Sequence, residues 1–287
     1  MSKLIFGCGY LGLRVARLWL AEGETVWAVT RSAQRAALLA AEGIRPLIAD
    51  VAEETTLPAL ALPTDLETVL FAIGYDRTSG RSIQQVYVDG LGRALARLPK
   101  LSGALIYISS TGVYGNGAGD WVDETSVCQP TREGGRACLA AEQLLQASEQ
   151  RDRAIILRLA GIYGPGRIPR AGDLRAGAPI DAPEHGYLNL IHLDDAARIV
   201  LLAEKNSPRP RTYVVSDGAP VVRGAYYREL AALLGAPLPR FVAPPSDSPA
   251  ALRAASDKRI NPARLMHDLA PRLLYPSYRE GLRAICC

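Results

Sequence analysis

The sequence predicts an α/β fold: a doubly wound parallel sheet of the Rossmann type with a smaller C-terminal substrate lobe. Apolar β-type runs alternate with amphipathic helical runs from Leu4 to Leu159, the pattern of a parallel sheet covered on both faces. The first run, Leu4 to Phe6, leads directly into Gly7-Cys8-Gly9-Tyr10-Leu11-Gly12, which opens a helical pattern. After Gly164 the texture changes to a stretch rich in Gly, Pro and Arg, as a loop or small lobe would be.

Taken in order, the strands expected after Leu4–Phe6 are Thr25–Thr30, Arg45–Ala49, Thr68–Ile73, Ala104–Ser109 and Ala154–Leu159. Helices are expected at about Ala33–Glu42, Ser82–Leu98 and Gly135–Gln150. Leu188–Ile191 returns to strand character, followed by a helix at Leu193–Lys205, a strand at Thr212–Ser216 and a helix at Arg223–Leu234. From Pro237 onward prolines are frequent and regular patterning is weak. The division this suggests is a dinucleotide-binding domain over 1–163, its sheet completed by about 188–216, with 164–187 and 217–287 forming the lobe. The helices at Ser82–Leu98 and Gly135–Gln150 carry apolar stripes that would serve a homodimer or the chain's own core equally well.

The 287 residues suffice for one or two domains, and 48% hydrophobic with 22% charged residues is ordinary for a globular enzyme-sized chain. The net charge of +4 is too mild to argue for nucleic acid, and no basic run is interleaved with aromatics. Of the 33 basic residues only Lys3, Lys100, Lys205 and Lys258 are lysines. Met1-Ser2-Lys3 runs straight into the first strand without a signal pattern, and no apolar stretch reaches membrane-spanning length. The five cysteines (Cys8, Cys128, Cys138, Cys286, Cys287) show no metal spacing, so free thiols in a reducing cytoplasm are expected.

The glycine turn points to a dinucleotide. Gly7 permits the tight turn, Gly9 lets backbone approach a pyrophosphate, and Gly12 lets the helix pack against the strand. The helix N-terminus then offers free N–H groups and a positive dipole end, so the turn residues Cys8, Tyr10 and Leu11 are expected at the cofactor. A chain that binds NAD usually ends its second strand with an acid that holds the ribose 2′-hydroxyl. Here that strand ends Thr30-Arg31-Ser32. Arg31 and Arg35 lie where a 2′-phosphate would sit, and a guanidinium suits phosphate geometry, so the sequence favours NADP, with NAD the alternative. Asp50 and Val51 are expected beside the adenine, and Ala72, Ile73 and Gly74 beneath the pyrophosphate and ribose.

Later segments sharpen this. Ile106-Tyr107-Ile108-Ser109-Ser110-Thr111-Gly112-Val113-Tyr114-Gly115 resembles the fifth-strand motif of the extended short-chain dehydrogenase/reductases, the superfamily of NAD-dependent epimerases and dehydratases. Leu157 to Gly166 resembles their sixth-strand motif. Asn189 to Ala197 resembles the segment that returns from the substrate lobe, and Tyr213 to Gly218 the next strand. With the glycine turn these ordered motifs span roughly the first 220 residues. The resemblance implies that a Ser or Thr on the fifth strand, a Tyr and a Lys do the chemistry, with the Tyr phenolate as acid/base and its pKa lowered by the Lys and the cofactor charge.

The hydroxyl position falls on Ser110, with Ser109 beside the cofactor and Thr111 beside the substrate. The Tyr-x-x-x-Lys pair would align with Gly134 and Cys138, and no tyrosine in the chain has a lysine four residues later. The chain is therefore expected to be an atypical member that lacks this pair. The remaining candidates are Tyr114, His185 and, less favoured, His192 for proton transfer, and Arg136, Tyr163 and Arg167 for substrate. Asp123-Glu124 is a loop acid pair that would serve capping or substrate contact. Arg167, Arg170 and Arg175 would suit an anionic ligand such as a nucleotide-sugar phosphate, or solvent. No Gly-x-Ser-x-Gly, metal-ligand cluster or phosphate loop is present. Two functions fit: an NADP-preferring oxidoreductase or epimerase with a non-standard acid/base set, and a dinucleotide-binding sensor without turnover.

Overall fold

A computed structural model describes residues 1–57, 61–115, 117–246, 248, 251 and 257–287. The chain separates into two compact units. The first comprises Met1–Ser110, Glu133–Arg158 and Ala197–Tyr213, and the second Thr111–Arg132, Leu159–Ala196 and Val214–Cys287.

In chain order the elements are β1 (Ser2–Phe6), α1 (Tyr10–Ala21), β2 (Thr25–Thr30), α2 (Ala33–Ala41), β3 (Arg45–Ile48), β4 (Leu66–Phe71), α3 (Gly90–Arg97), β5 (Leu105–Ser110), β6 (Trp121–Val122), α4 (Glu133–Ala147), β7 (Ala154–Leu159), β8 (Gly161–Tyr163), α5 (Ala171–Arg175), β9 (Ile180–Asp181), β10 (Tyr187–Leu188), β11 (Leu190–His192), α6 (Leu193–Asn206), β12 (Arg211–Val215), β13 (Val221–Val222), α7 (Arg223–Leu233), β14 (Phe241–Val242) and β15 (Arg259–Ile260). Two further helices follow, Ala263–Leu269 and Tyr278–Cys286.

The central sheet has seven strands in the order β12–β7–β5–β4–β1–β2–β3. β1 pairs in parallel with β2 and β4, β2 with β3, and β4 with β5. The order reverses between β1 and β4, which opens a crevice at the carboxyl ends of these two strands, the place where such sheets bind ligands. β1 is buried along its whole length. That explains its unbroken apolar run, because a strand covered on both faces has no polar side to alternate with. Leu4, Phe6, Val69, Phe71, Leu105, Tyr107 and Ile156 form the first unit's core with Leu91 of α3 and Ala141 and Leu145 of α4.

The helix expected at Ser82–Leu98 contains a π-type segment, Gln85–Asp89, before α3. Gly90 follows it. A Cβ there would lie 2.8 Å from Val51 Cγ2, so the backbone itself packs against the β3–β4 connection. α3 and α4 pack on each other, so part of their apolar surface is spent within the chain. α4 begins at Glu133, two residues before the expected start. The run expected as one strand at Leu188–Ile191 is split into β10 and β11 by Asn189. Its side chain donates to Lys258 O (2.8 Å) and accepts from Ile260 N (2.8 Å).

The second unit has its own core of Tyr163, Leu190, Tyr226, Leu230, Tyr278 and Leu282. Weak patterning after Pro237 conceals the helix Tyr278–Cys286, which opens on a complete capping box between Ser277 and Glu280. Among the described residues no helix is long and apolar enough to cross a membrane, and no group of His, Cys, Asp and Glu could hold a metal.

Candidate functional site

The glycine turn has the form its spacing implies. Gly7 has φ +92°, and a Cβ there would lie 2.6 Å from Ile73 N and Cα. That interlocks the end of β1 with the exit of β4, where Ala72 N donates to Phe6 O (2.8 Å). A Cβ at Gly12 would strike the Gly7 carbonyl oxygen. One at Gly9, the N-cap of α1, meets nothing within 4 Å. The turn is thus closed where strand and helix meet and open at Gly9, where the first N–H groups of α1 begin. A cradle open at this one glycine, over a helix N-terminus, fits a pyrophosphate.

The turn's other residues divide. Leu11 is buried, Tyr10 is half-buried, and burial pushes the Cys8 thiol up to about 11, out of reach of thiolate chemistry at neutral pH. The Arg35 guanidinium donates to Cys8 O at 3.1 Å, so it lies over the turn itself. Arg31 points to Asp76 instead (Nη2 to Oδ2, 3.1 Å). Both arginines lie near the turn, but only Arg35 touches it.

At the expected adenine end, Asp50 Oδ1 accepts from Ala52 N (2.9 Å) and the Asp50 backbone is tied to Thr56 Oγ1. Val51 is buried against Gly90. Both residues serve the turn after β3, Val51 through burial and Asp50, half-buried, through its backbone and Oδ1. Ile73 and Gly74 follow β4 next to the glycine turn, Gly74 exposed and Ile73 half-buried.

Ser109 departs from expectation. It is buried, and its Oγ donates to Glu142 Oε1 at 2.5 Å. Glu142 in turn receives Arg158, Nε at 3.0 Å to Oε1 and Nη2 at 2.7 Å to Oε2. Ser109 therefore belongs to a buried charged knot joining β5, α4 and β7, not to a cofactor surface. Ser110, the next residue, turns to the other side of β5 and is only half-buried. Gly134 and Cys138 sit in the first turns of α4. A Cβ at Gly134 would touch only Ile83 Cδ1, at 3.6 Å. Cys138 is buried beside Tyr107, whose phenol is pushed well up by burial and by this thiol. Arg136 is exposed on the same helix.

The remaining candidates belong to the second unit. Thr111 is half-buried at the start of the loop after β5. Tyr114 is buried. Tyr163 is fully buried, its hydroxyl donating to Ser277 O (3.4 Å) and its ring edge-on to His192 at 5.2 Å. Burial pushes its phenol far above the usual range. Tyr163 is a core residue of this unit, which corrects its expected contact with substrate. His192 lies under Tyr275 (centroids 3.9 Å), and its Nδ1 accepts from Asp194 N (3.2 Å), capping α6. The Glu124 side chain is buried and accepts from Val214 N (2.7 Å), while Asp123 caps its own turn through Thr125. Arg170 pairs with Asp173. Arg167 is exposed, and its backbone closes a turn with Gly164. His185 is exposed at an open cavity of about 470 Å³ shared with Pro183, Glu184, Phe241 and Val242. Its loop is held by buried Arg223, which donates to Pro183 O and His185 O.

Sequence reasoning passed over Lys258. It is 5% exposed, and its Nζ donates to the carbonyls of Tyr114 and Gly115, each at 3.4 Å. Burial, then the Arg132 charge, pushes the ammonium down to about 8. The one available signal was scarcity, a lysine in a chain that otherwise uses arginine.

The model of the NAD dependent epimerase/dehydratase family matches residues 4–216. Protein YeeZ of Escherichia coli strain K12 is 32% identical over 180 residues, 63% of this chain and 60% of that protein. The match thus spans less than two thirds of the relative's length. Among solved structures, a conserved protein of unknown function from Silicibacter pomeroyi DSS is 29% identical, with a TM-score of 0.78 over 99% of this chain and 98% of the other. A UDP-glucuronic acid 4-epimerase from Bacillus cereus, solved with UDP-glucuronic acid and NAD, superposes with a TM-score of 0.79 over 100% of this chain and 98% of that one. At 18% identity that likeness is one of fold.

Proposed function

Because the chain belongs to the NAD dependent epimerase/dehydratase family, we propose that it is a dinucleotide-dependent oxidoreductase or epimerase-type enzyme that prefers NADP and acts on an anionic substrate. The observation that carries this reading is the glycine turn, closed at Gly7 and Gly12 and open at Gly9. The N–H groups of α1 after Gly9 would hold the pyrophosphate. Arg35, already over the turn, would take a 2′-phosphate, with Arg31 contributing once it leaves the exposed Asp76 pair. The nicotinamide, when bound, supplies or accepts a hydride. Ser110 would orient and polarise a substrate oxygen by donating its hydroxyl proton to a hydrogen bond.

Proton transfer follows a non-standard route. The position that aligns with the family's Tyr holds Gly134 and the Lys position holds Cys138. Tyr163 holds its proton too tightly to exchange it at neutral pH. Tyr114, His185 or a water ordered near Ser110 is left to serve. The same two positions favour a second reading, a dinucleotide-binding sensor without turnover.

The test is a fluorescence titration with NADPH, NADH, NADP and NAD. We expect the 2′-phosphate forms to bind at least tenfold tighter, about 1.4 kcal/mol. Arg35→Ala should remove most of that preference while leaving NADH affinity unchanged. Equal affinity for NADPH and NADH would overturn the NADP assignment, and no binding of any form would overturn the enzyme reading. Binding without redox change over a panel of carbonyls and alcohols would favour the sensor.

A further inference from the structure

Where the sequence reading places the family's tyrosine the chain has Gly134, yet another phenol stands against the same helix. The π-type segment Gln85–Asp89 packs along α4. Ile83, just before that segment, is the side chain that a Cβ at Gly134 would meet, at 3.6 Å. Tyr87 follows Ile83 by four residues, on the same helical face one turn further along. Cys138 follows Gly134 by the same spacing, and its thiol acts on the Tyr87 phenol. A π-type turn within a helix is a local departure that frequently accompanies a functional position.

The Tyr87 hydroxyl is held from one side. Its oxygen accepts from Tyr75 N (3.1 Å), and its ring stands edge-on to the Tyr75 ring, centroids 6.4 Å apart. Among the described residues nothing accepts its proton, and Tyr87 is only half-buried, within reach of a ligand. Tyr75 is itself fixed, because its own hydroxyl donates to Arg81 O (2.9 Å). It stands two residues beyond Ile73, whose backbone closes on Gly7. Two residues span at most about 7 Å, so the Tyr87 phenol lies at the exit of β4, close to the glycine turn. Burial, then Cys138, pushes this phenol up, so it keeps its proton at neutral pH, while the Tyr75 N–H pulls the other way. A backbone N–H aimed at the oxygen favours the phenolate over the phenol. It thus does for Tyr87 part of what the lysine does in the family's usual pair.

We infer that Tyr87 is the proton donor of the reaction, supplied by the π-type segment instead of by α4. This rests on the enzyme reading above, and Tyr87 takes the role left there to Tyr114, His185 or water. As a substrate carbonyl carbon receives a hydride from the reduced nicotinamide, the carbonyl oxygen takes the Tyr87 proton, and the product is an alcohol. The phenolate left behind keeps its hydrogen bond from Tyr75 N and regains a proton from water.

A fluorinated tyrosine tests this without a known substrate. 3-Fluorotyrosine placed at position 87 gives a single fluorine-19 signal that reports ionisation of this phenol, and the fluorine brings its midpoint down into an accessible range. NADP and NADPH carry the same phosphates and differ by one positive charge on the nicotinamide. With that ring beside Tyr87, the midpoint should be lower by about one unit or more with saturating NADP than with saturating NADPH. Tyr87→Phe should keep NADPH affinity within about twofold and lose about 100-fold or more in turnover of any carbonyl of the panel that the unaltered chain reduces. A purely structural role would lower stability and affinity together and leave the two midpoints equal. Equal midpoints with both forms bound would overturn the proposal and leave the cofactor site standing, as would undiminished turnover by Tyr87→Phe. Failure of both forms to bind would overturn the enzyme reading, and this proposal with it. If Tyr87→Phe does not fold, the fluorine titration decides alone.

Discussion

A side chain added at Gly9 would enter open space, whereas one at Gly12 would strike the Gly7 carbonyl. The two glycines therefore predict opposite phenotypes. Gly9→Val should fold with stability within about 0.5 kcal/mol of the parent and lose at least tenfold in NADPH affinity. Gly12→Val should lose on the order of 1–3 kcal/mol of stability through overpacking. Urea denaturation beside a fluorescence titration separates the two, and a Gly9→Val protein with unchanged affinity would remove the pyrophosphate assignment. The form of this turn was legible in the sequence because it is local, strand to helix within a dozen residues. The ranking of Arg35 over Arg31 was not, because it depends on Asp76, which lies 45 residues from Arg31. Ser109 and Ser110 show the same limit. Adjacent strand residues face opposite ways, and only the position of Glu142 tells which side is core.

At the level of elements, α4 is tied to β5 and β7 by Ser109, Glu142 and Arg158, all buried. Removing one partner of such a pair strands the other charge away from water. Glu142→Ala should thus cost about 3–5 kcal/mol, read as a lower urea midpoint at unchanged slope. A loss under about 1 kcal/mol would mean that Arg158 finds water or another partner. Alternating β and α periodicity made most elements readable, and their ends moved by only one or a few residues. The failures have local causes. The capping box at Ser277 and Glu280 is a written signal, but it stands in a proline-rich segment whose weak periodicity hides it. The π-type segment before α3 answers to Val51 across the fold, which no local pattern encodes.

Across the whole molecule the chain passes repeatedly between its two units, so each core draws on distant parts of the sequence. In the second unit this buries Asp217. Its Oδ1 accepts from Ala219 N, while Oδ2 is buried without a hydrogen-bond partner among the described residues. Burial, with Asp195 and Glu280 nearby, raises the carboxyl from 3.8 to about 7. The folded state thus binds this proton more tightly than the unfolded chain does. Its contribution is fully present below the unfolded value and is lost as pH climbs toward 7, at up to about 1.4 kcal/mol per pH unit. Urea midpoints at pH 5 and pH 8 should differ in that direction, and Asp217→Asn should narrow the gap. An unchanged gap would show that other groups set the pH dependence. The Tyr213–Gly218 run includes Asp217 but does not announce its raised carboxyl, because that effect arises from the residues folded around it.

The two positions where the sequence reading would place the Tyr-x-x-x-Lys pair differ in how easily they would accept a larger side chain. Position 134 has room, since a side chain there first meets the end of Ile83. Position 138 has been absorbed into the core, its thiol lodged against Tyr107. A Cβ at position 134 would be accommodated without displacing backbone. A lysine at 138 would first require the sheet beneath it to be repacked. If these two positions are the ones that would hold the pair, the small buried cysteine, not the glycine, is the harder of the two to replace.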